Sequence, residues 1–310
     1  MTQDIAFIVY GPLRSGTTLL RLMIHHHPDL ANAGEFDYLF DYARHTPEGI
    51  SIDRERLRHW FAFQNFGFVI REELNDDQLL EDFLKQVVAR KPGMQSINIH
   101  RDLDHVLSFL PAAKVVKLHR DPRDVAASSV QMGWAGNAYH GVDHWISTER
   151  AWDRASAMLP PERKLELRFE DLLAQPEAEL GRICDFIGVS YHPAMLSYSE
   201  HSTYEPVSAS ATFRWKQKMS PAQAALVTSR APELVAARGY EVPQGVRAPG
   251  PVRRAQLAVA NKLGMWRHSI RIHGFSTVVM EKITRRLGLA RWHGRIVDER
   301  INRTLTARLK

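Results

Sequence analysis

Eight residues, Gly11-Pro12-Leu13-Arg14-Ser15-Gly16-Thr17-Thr18, carry the clearest chemical signal in the chain. They separate a short apolar run, 5–10, from an apolar-periodic segment that starts at Leu19. Strand, glycine loop and helix in that order leave backbone N–H groups free at a helix N-terminus, where an anion is favoured. The two glycines keep the spacing of the nucleotide-binding pattern G-x-x-x-x-G-K-[ST], with one departure. Thr17 stands where the lysine belongs, Thr18 follows, and the cation has moved into the loop as Arg14. A phosphate cradle is expected, while an ATPase or kinase is disfavoured. An ordinary strand-to-helix turn has the same spacing, so the loop alone does not decide.

A second anion site is suggested further on. The run 114–118 (KVVKL) reads as a strand that ends on Arg120, and Ser128 lies eight residues later in the next helix. A guanidinium with a hydroxyl nearby suits a terminal phosphate, and a salt bridge from Arg120 to Asp121 or Asp124 is equally compatible. Residues 97–99 read as a strand that delivers His100 to its end.

Strands alternate with helices through the body of the chain. The fold class expected is α/β, with a central parallel sheet and helices on both faces. Ligands in such sheets bind beyond the carboxyl ends of the strands. The 11–18 loop, Gly34-Glu35, His100, Arg120 and Glu170 all fall at such ends. Residues 36–92 read mostly as helix, and their aromatic residues Trp60, Phe61, Phe63, Phe66 and Phe68 are expected to form core or one wall of an acceptor pocket. His25-His26-His27 invites a metal reading. Adjacent residues of a helix point in different directions, however, and no cysteine or carboxylate joins them at ligand spacing, so no metal is expected.

Composition bounds the rest. Hydrophobic residues make up 44% and charged residues 25% of 310, normal for a globular protein with one large domain and an extension. The single cysteine, Cys184, excludes an internal disulfide framework and suits a reducing compartment. No basic leader and no long apolar window stand out, so a cytoplasmic protein is expected, peripheral to the inner face of the membrane at most. The charge is uneven. Residues 251–310 carry 14 Lys/Arg against 3 Asp/Glu, while 1–250 carry 27 against 32. The domain organisation expected is a main domain over 1–240, a Pro/Gly-rich linker over 241–252 and a basic amphipathic helical extension over 253–310. Three roles fit that extension: lying on an anionic membrane surface, guiding an acidic or lipid-linked acceptor, or packing against the acidic body or a second subunit in a homodimer. Nucleic acid is not an expected partner.

Taken together, the motifs resemble those of the sulfotransferases that use 3′-phosphoadenosine 5′-phosphosulfate (PAPS). Gly11 to Leu19 resembles that family's 5′-phosphosulfate loop. Arg120-Asp-Pro-Arg-Asp-Val-Ala-Ala-Ser128 resembles its 3′-phosphate motif. Arg168-Phe169-Glu170-Asp171-Leu172 resembles the strand end near the adenine, and Phe213-Arg214-Trp215-Lys216 the segment that closes over the 3′-phosphate. The motifs run from residue 5 to about 240 in the family's order and leave the basic tail uncovered. The likeness is strongest to the bacterial and tyrosylprotein-type branch.

That resemblance implies a P-loop-like sulfotransferase fold, PAPS as co-substrate with adenosine 3′,5′-bisphosphate (PAP) as product, no metal, and a hydroxyl-bearing acceptor. It implies that Arg14, Ser15, Gly16, Thr17 and Thr18 surround the 5′-phosphosulfate. Arg120, Ser128, Phe169, Phe213, Arg214, Trp215 and Lys216 would bind the rest of the nucleotide. Glu35 is implied as general base, since a carboxylate can take the acceptor's proton as sulfur is attacked. Two departures stand out. Phe169 replaces a tyrosine common in the family, and Gln95, Asn98 and His100 occupy the strand where a lysine is common. His100 is therefore a candidate catalytic residue alongside Glu35 and Arg14. A divergent P-loop kinase and a non-catalytic nucleotide-binding or membrane-surface module are the rivals.

Overall fold

The computed structural model describes residues 5–201 and 208–288. Five strands form one sheet: β1 (Ile5–Tyr10), β2 (Leu30–Glu35), β5 (Met94–Ile99), β6 (Lys114–His119) and β7 (Lys164–Arg168). Their order is β2-β5-β1-β6-β7, and every pairing is parallel. The expected fold class is the one observed. β1 is central and apolar throughout because both of its faces are covered. Its side chains alternate between two cores: Ile8 and Tyr10 join one cluster, Phe7 and Val9 the other. β6 obeys the same period of two. Val116 and Leu118 pack in the second cluster, while Lys117 lies over the ring of Tyr10 on the opposite face.

The second cluster is closed by α1 (Thr17–His26) and by the helices Phe169–Ala174 and Pro176–Ile187. The first cluster takes in the 36–110 segment and the helix α3 (Asp143–Met158). Residues 36–92 are less helical than expected. They contain an antiparallel hairpin, β3 (Ala43–Thr46) with β4 (Gly49–Ile52). Each strand is only 4 residues long, too short for its alternation to register in the sequence. The aromatic residues take a core role in part: Phe36, Phe63, Phe66, Phe68 and Phe83 meet ring to ring, while Trp60 and Phe61 stay exposed.

The described residues fall into two compact units. The first comprises 5–121 with 144–201 and 208–214, and the second 122–143 with 215–288. The second unit contains α2 (Pro122–Gln131), several short helices, α4 (Pro251–His273) and α5 (Phe275–Arg286). Residues 241–250 are irregular, and α4 begins at Pro251, inside the expected linker of 241–252, with α5 following after Gly274. The remainder of the basic tail, 289–310 with Trp292, lies outside the described residues.

One feature of the core is electrostatically expensive. Lys117 and Glu149, both fully buried, meet at 2.7 Å between β6 and α3. His119 approaches the same carboxylate at 3.1 Å and reaches Glu166 on β7 at 2.6 Å. Burial pushes the Glu149 carboxyl up, but the Lys117 ammonium and His119 outweigh it and hold it well below the usual range. Lys117→Met would strand that carboxylate, and breaking a buried pair from one side costs about 3–5 kcal/mol. Urea denaturation should show a loss of that size, largely recovered in Lys117→Met/Glu149→Leu, where no charge is left unpaired.

Candidate active site

The site gathers at the carboxyl ends of the parallel strands in the first unit. After β1 the chain enters the 11–18 loop through Gly11. Arg14 has φ 70° and Gly16 φ 94°, so the backbone turns twice through the left-handed region within three residues and becomes concave. Arg14 makes the first of these turns despite its side chain, at a cost of order 1–3 kcal/mol. At Gly16 no side chain fits. A Cβ there would stand 2.3 Å from the ring of Phe169. Gly16 caps α1 without any side-chain hydrogen bond, and the first N–H groups of a helix have no partners within it. Ser15 Oγ is buried and has no hydrogen-bond partner among the described residues. An orphaned hydroxyl, an uncapped helix start and a concave glycine turn fit an anionic group such as the phosphosulfate end of PAPS.

Arg120, just beyond β6, braces this loop. Its Nη1 donates to the carbonyl oxygen of Arg14 at 2.9 Å, and its guanidinium lies 4.3 Å from the centre of the Phe169 ring. Phe169 thus packs against Gly16 and stacks under Arg120. A phenylalanine brings no hydroxyl to this position. Nearby, Glu170 accepts from the N–H of Asp121 at 3.0 Å.

Glu35 ends β2 and His100 follows β5. The side chain of Glu35 is half exposed, whereas His100 is buried. His100 Nδ1 lies 2.8 Å from the carbonyl oxygen of Gly11. A carbonyl only accepts, so Nδ1 carries the proton, an assignment made from the hydrogen-bond network. Nε2 then faces Glu35 Oε1 at 3.5 Å. Two lone pairs would repel there, so a second ring proton, and with it an imidazolium beside a carboxylate, is favoured. Burial pulls His100 down, yet Glu35, Asp37 and the Gly11 carbonyl together raise it above its ordinary 6.5. The His100 contact, helped by the charges of Arg21 and Arg14, lowers Glu35 below its ordinary 4.5 against the opposing effect of its burial. Buried Asp37 fixes the backbone here, accepting from the N–H of His100 at 2.8 Å and of Arg101 at 3.2 Å. Asn98, on the strand where a lysine is common, is a bridge. It accepts from Asn32 Nδ2 at 3.0 Å and donates to the carbonyl of Thr17 at 3.2 Å.

A set of positioning contacts from α3 was missed by the sequence reading. His144 Nε2 donates to the carbonyl of Leu13 at 2.9 Å, Trp145 Nε1 to that of Arg120 at 2.9 Å, and Thr148 Oγ1 to that of His100 at 3.0 Å. One helix therefore fastens the loop and two strand ends. The available signal was a group of hydrogen-bonding side chains, 144, 145, 148 and 149, on a single helical face.

Ser128, Trp215 and Lys216 lie in the second unit, Phe213 and Arg214 at the end of the first. Within the second unit the N–H of Trp215 donates to Asp124 at 2.7 Å, and the guanidinium of buried Arg123 lies 4.0 Å from its ring centre. Phe213 has φ 49°. The three histidines 25–27 turn to separate backbone partners: His25 accepts from Asn32 N–H, His26 contacts the carbonyl of Leu22 and His27 that of Ser190.

A family model described as the sulfotransferase family matches residues 6–193, more than half the chain. The chain belongs to the sulfotransferase family. Among curated sulfotransferase relatives, it is 25% identical over 203 residues to a putative protein-tyrosine sulfotransferase of Caenorhabditis briggsae, covering 62% of this chain and 68% of that one. It is 27% identical over 154 residues to the omega-hydroxy-beta-dihydromenaquinone-9 sulfotransferase of Mycobacterium tuberculosis, covering 44% and 38%. An uncharacterized Aquifex aeolicus protein aligns at 25% identity over 64% of this chain and only 27% of its own length. The matches thus span from about a quarter to two thirds of these relatives. In fold, the chain is similar to the sulfotransferase domain from the curacin biosynthetic pathway, with TM-score 0.59 and 18% identity over 78% of this chain and all of that domain. It is also similar to the sulfotransferase domain of the Synechococcus PCC 7002 olefin synthase, with TM-score 0.56 and 22% identity over 77% and 95%.

The coupled pair gives this sulfotransferase-family site a signature. His100 should titrate above 6.5 and Glu35 below 4.5, so the ion pair exists between the two values and is lost on either side. Glu35→Gln removes the main raising influence and leaves only Asp37 and the Gly11 carbonyl to oppose burial at His100. Its imidazole resonances should then titrate at lower pH, as measured by NMR, whereas an unchanged titration would show that the two side chains are not coupled.

Proposed function

We propose that the protein transfers the sulfuryl group of PAPS to an acceptor hydroxyl, with Glu35 as general base. The observation that carries this reading is the arrangement around Gly11: a concave anion cradle whose first carbonyl also holds the histidine that faces the carboxylate. The 5′-phosphosulfate would lie in the loop, with the N–H groups of 16–18, Ser15 Oγ, the hydroxyls of Thr17 and Thr18, and Arg14 around it. The bond between sulfur and the 5′-phosphate oxygen breaks, a bond from sulfur to the acceptor oxygen forms, and PAP leaves with the electron pair. Preorganised donors stabilise the charge that grows on the leaving oxygen. Glu35 Oε1 is turned to His100, so Oε2 takes the acceptor's proton. His100 keeps Glu35 ionised and aimed, which makes it a positioning residue in this mechanism.

Arg120 and Phe169 would hold the nucleotide side, the first by charge and the second by ring packing. Parts for Ser128, Phe213, Arg214, Trp215 and Lys216 in binding the 3′-phosphate rest on the sequence resemblance. The acceptor is a hydroxyl compound. The sulfotransferase named for a menaquinone derivative among the relatives supports a small hydroxylated molecule, and the putative protein-tyrosine sulfotransferase a phenolic one.

Three outcomes test the proposal. PAP should raise the melting temperature more than ATP with Mg²⁺ does; the reverse order would favour a kinase. With labelled PAPS and cell-extract acceptors, Glu35→Gln should keep PAP affinity within about twofold and lose roughly 10²–10⁴ in turnover, the usual range for a lost general base. Full activity in that variant would remove Glu35 from the role. Arg120→Ala should instead weaken PAP binding by roughly tenfold or more, the scale of one charge-assisted hydrogen bond to an anion.

A further inference from the structure

The basic tail concentrates apolar surface as well as charge. Nine of the fourteen large apolar side chains exposed among the described residues lie between 251 and 288. That segment carries eight Lys/Arg and one acid, Glu281. α4 has two opposite faces. One is docked within the second unit. Leu257 is buried, the amide of Asn137 donates to the Leu257 carbonyl at 2.7 Å, and the N–H of Gly136 donates to Asn261 at 2.7 Å. Gly264 meets Gly136 so closely that a Cβ at 264 would stand 2.5 Å from that backbone. The other face carries Val252, Val259, Leu263 and Trp266, at i, i+7, i+11 and i+14, all exposed. At 100° per residue these four fall within about 60° of one another, and Lys262 and Arg267 project on either side of them.

α5 adds exposed apolar side chains of its own. Met280 and Ile283 are exposed along it with Leu287 just beyond, while Val278 is buried. Lys282 sits 4.6 Å from the ring centre of Trp266. Between the two helices lies a cavity of about 520 Å³, lined among others by Leu263, Met265, Trp266 and Val278 and rimmed by Lys262 and Lys282. No described helix is long and apolar enough to cross a membrane.

We infer that α4 and α5 form a docking surface for an anionic lipid bilayer. An apolar stripe bordered on both sides by Lys and Arg, with a tryptophan among its members, is the pattern of a helix lying in the headgroup region. The bilayer supplies both things the surface lacks: apolar material for Val259, Leu263 and Trp266, and negative charge for Lys262 and Arg267. A nucleic acid would complement the charge and leave the apolar stripe in water. A second copy of this chain would bury the stripe and bring the same positive charges together.

Vesicle sedimentation with the full chain tests this. Phosphatidylcholine vesicles containing phosphatidylglycerol should bind it, pure phosphatidylcholine far less, and salt should weaken the binding. Lys262→Glu/Arg267→Glu should cut partitioning by about 30-fold or more, following roughly 1 kcal/mol for each basic residue at such a surface. Val259→Asn/Leu263→Gln should cut it roughly tenfold through lost apolar burial, with circular dichroism confirming an intact fold. Binding unchanged by that second variant would assign the attraction to charge alone and overturn the inference. So would failure to bind the anionic vesicles at low salt, or a dimer that the variant dissolves in the absence of vesicle binding.

Discussion

Much of this architecture turns on one hydrogen bond, from His100 Nδ1 to the carbonyl of Gly11. It is buried, and it has only one chemically sensible direction. Fixing the proton on Nδ1 turns Nε2 toward Glu35, and that contact favours a charged ring beside an ionised carboxylate. The same carbonyl begins the 11–18 loop. Loop and carboxylate are therefore linked through His100, and neither can shift far without the other. Asp37 and Thr148 hold the backbone of His100 at its N–H and its carbonyl, so the histidine is fixed from three sides.

The remainder of the first unit can be understood as support for that corner. A parallel sheet brings all its carboxyl ends to one edge, and α3 ties three of the resulting loops to a single rigid helix through Leu13, His100 and Arg120. The helix is itself anchored by the buried Lys117–Glu149 pair. Such a pair adds little net stability compared with an apolar core. It does specify one register between helix and sheet, which a purely apolar contact would leave looser. The left-handed turn at Arg14 is held in a similar way, by Arg120 at its carbonyl and by the Phe169 ring under Gly16.

The sheet was legible in the sequence because its central strand β1 is apolar on both faces and several strands end in polar residues of distinctive type. The sharp turn of the 11–18 loop was legible from its glycine spacing, and the left-handed backbone at Arg14 was not. Three other things were not legible. The β3–β4 hairpin is shorter than any detectable period. Asn98 was only one of three residues on a strand where a lysine is common, and its bridge between Asn32 and Thr17 requires knowing that β2, β5 and α1 meet. The grip of α3 on three carbonyls involves main-chain acceptors, which every residue has, so no residue type marks them. In the tail, charge asymmetry was plain from composition, whereas the division of α4 into a docked and an open face appeared only with the packing of Gly264 on Gly136.

The central claim, that the 11–18 loop is an anion cradle working with Glu35, is tested most directly by a crystal structure of the protein with PAP. The account predicts the 5′-phosphate on the N–H groups of residues 16–18, with Ser15 Oγ donating to it and Glu35 facing the open side where sulfur would stand. A 5′-phosphate bound beyond hydrogen-bonding reach of the loop, with Ser15 still without a partner, would contradict it.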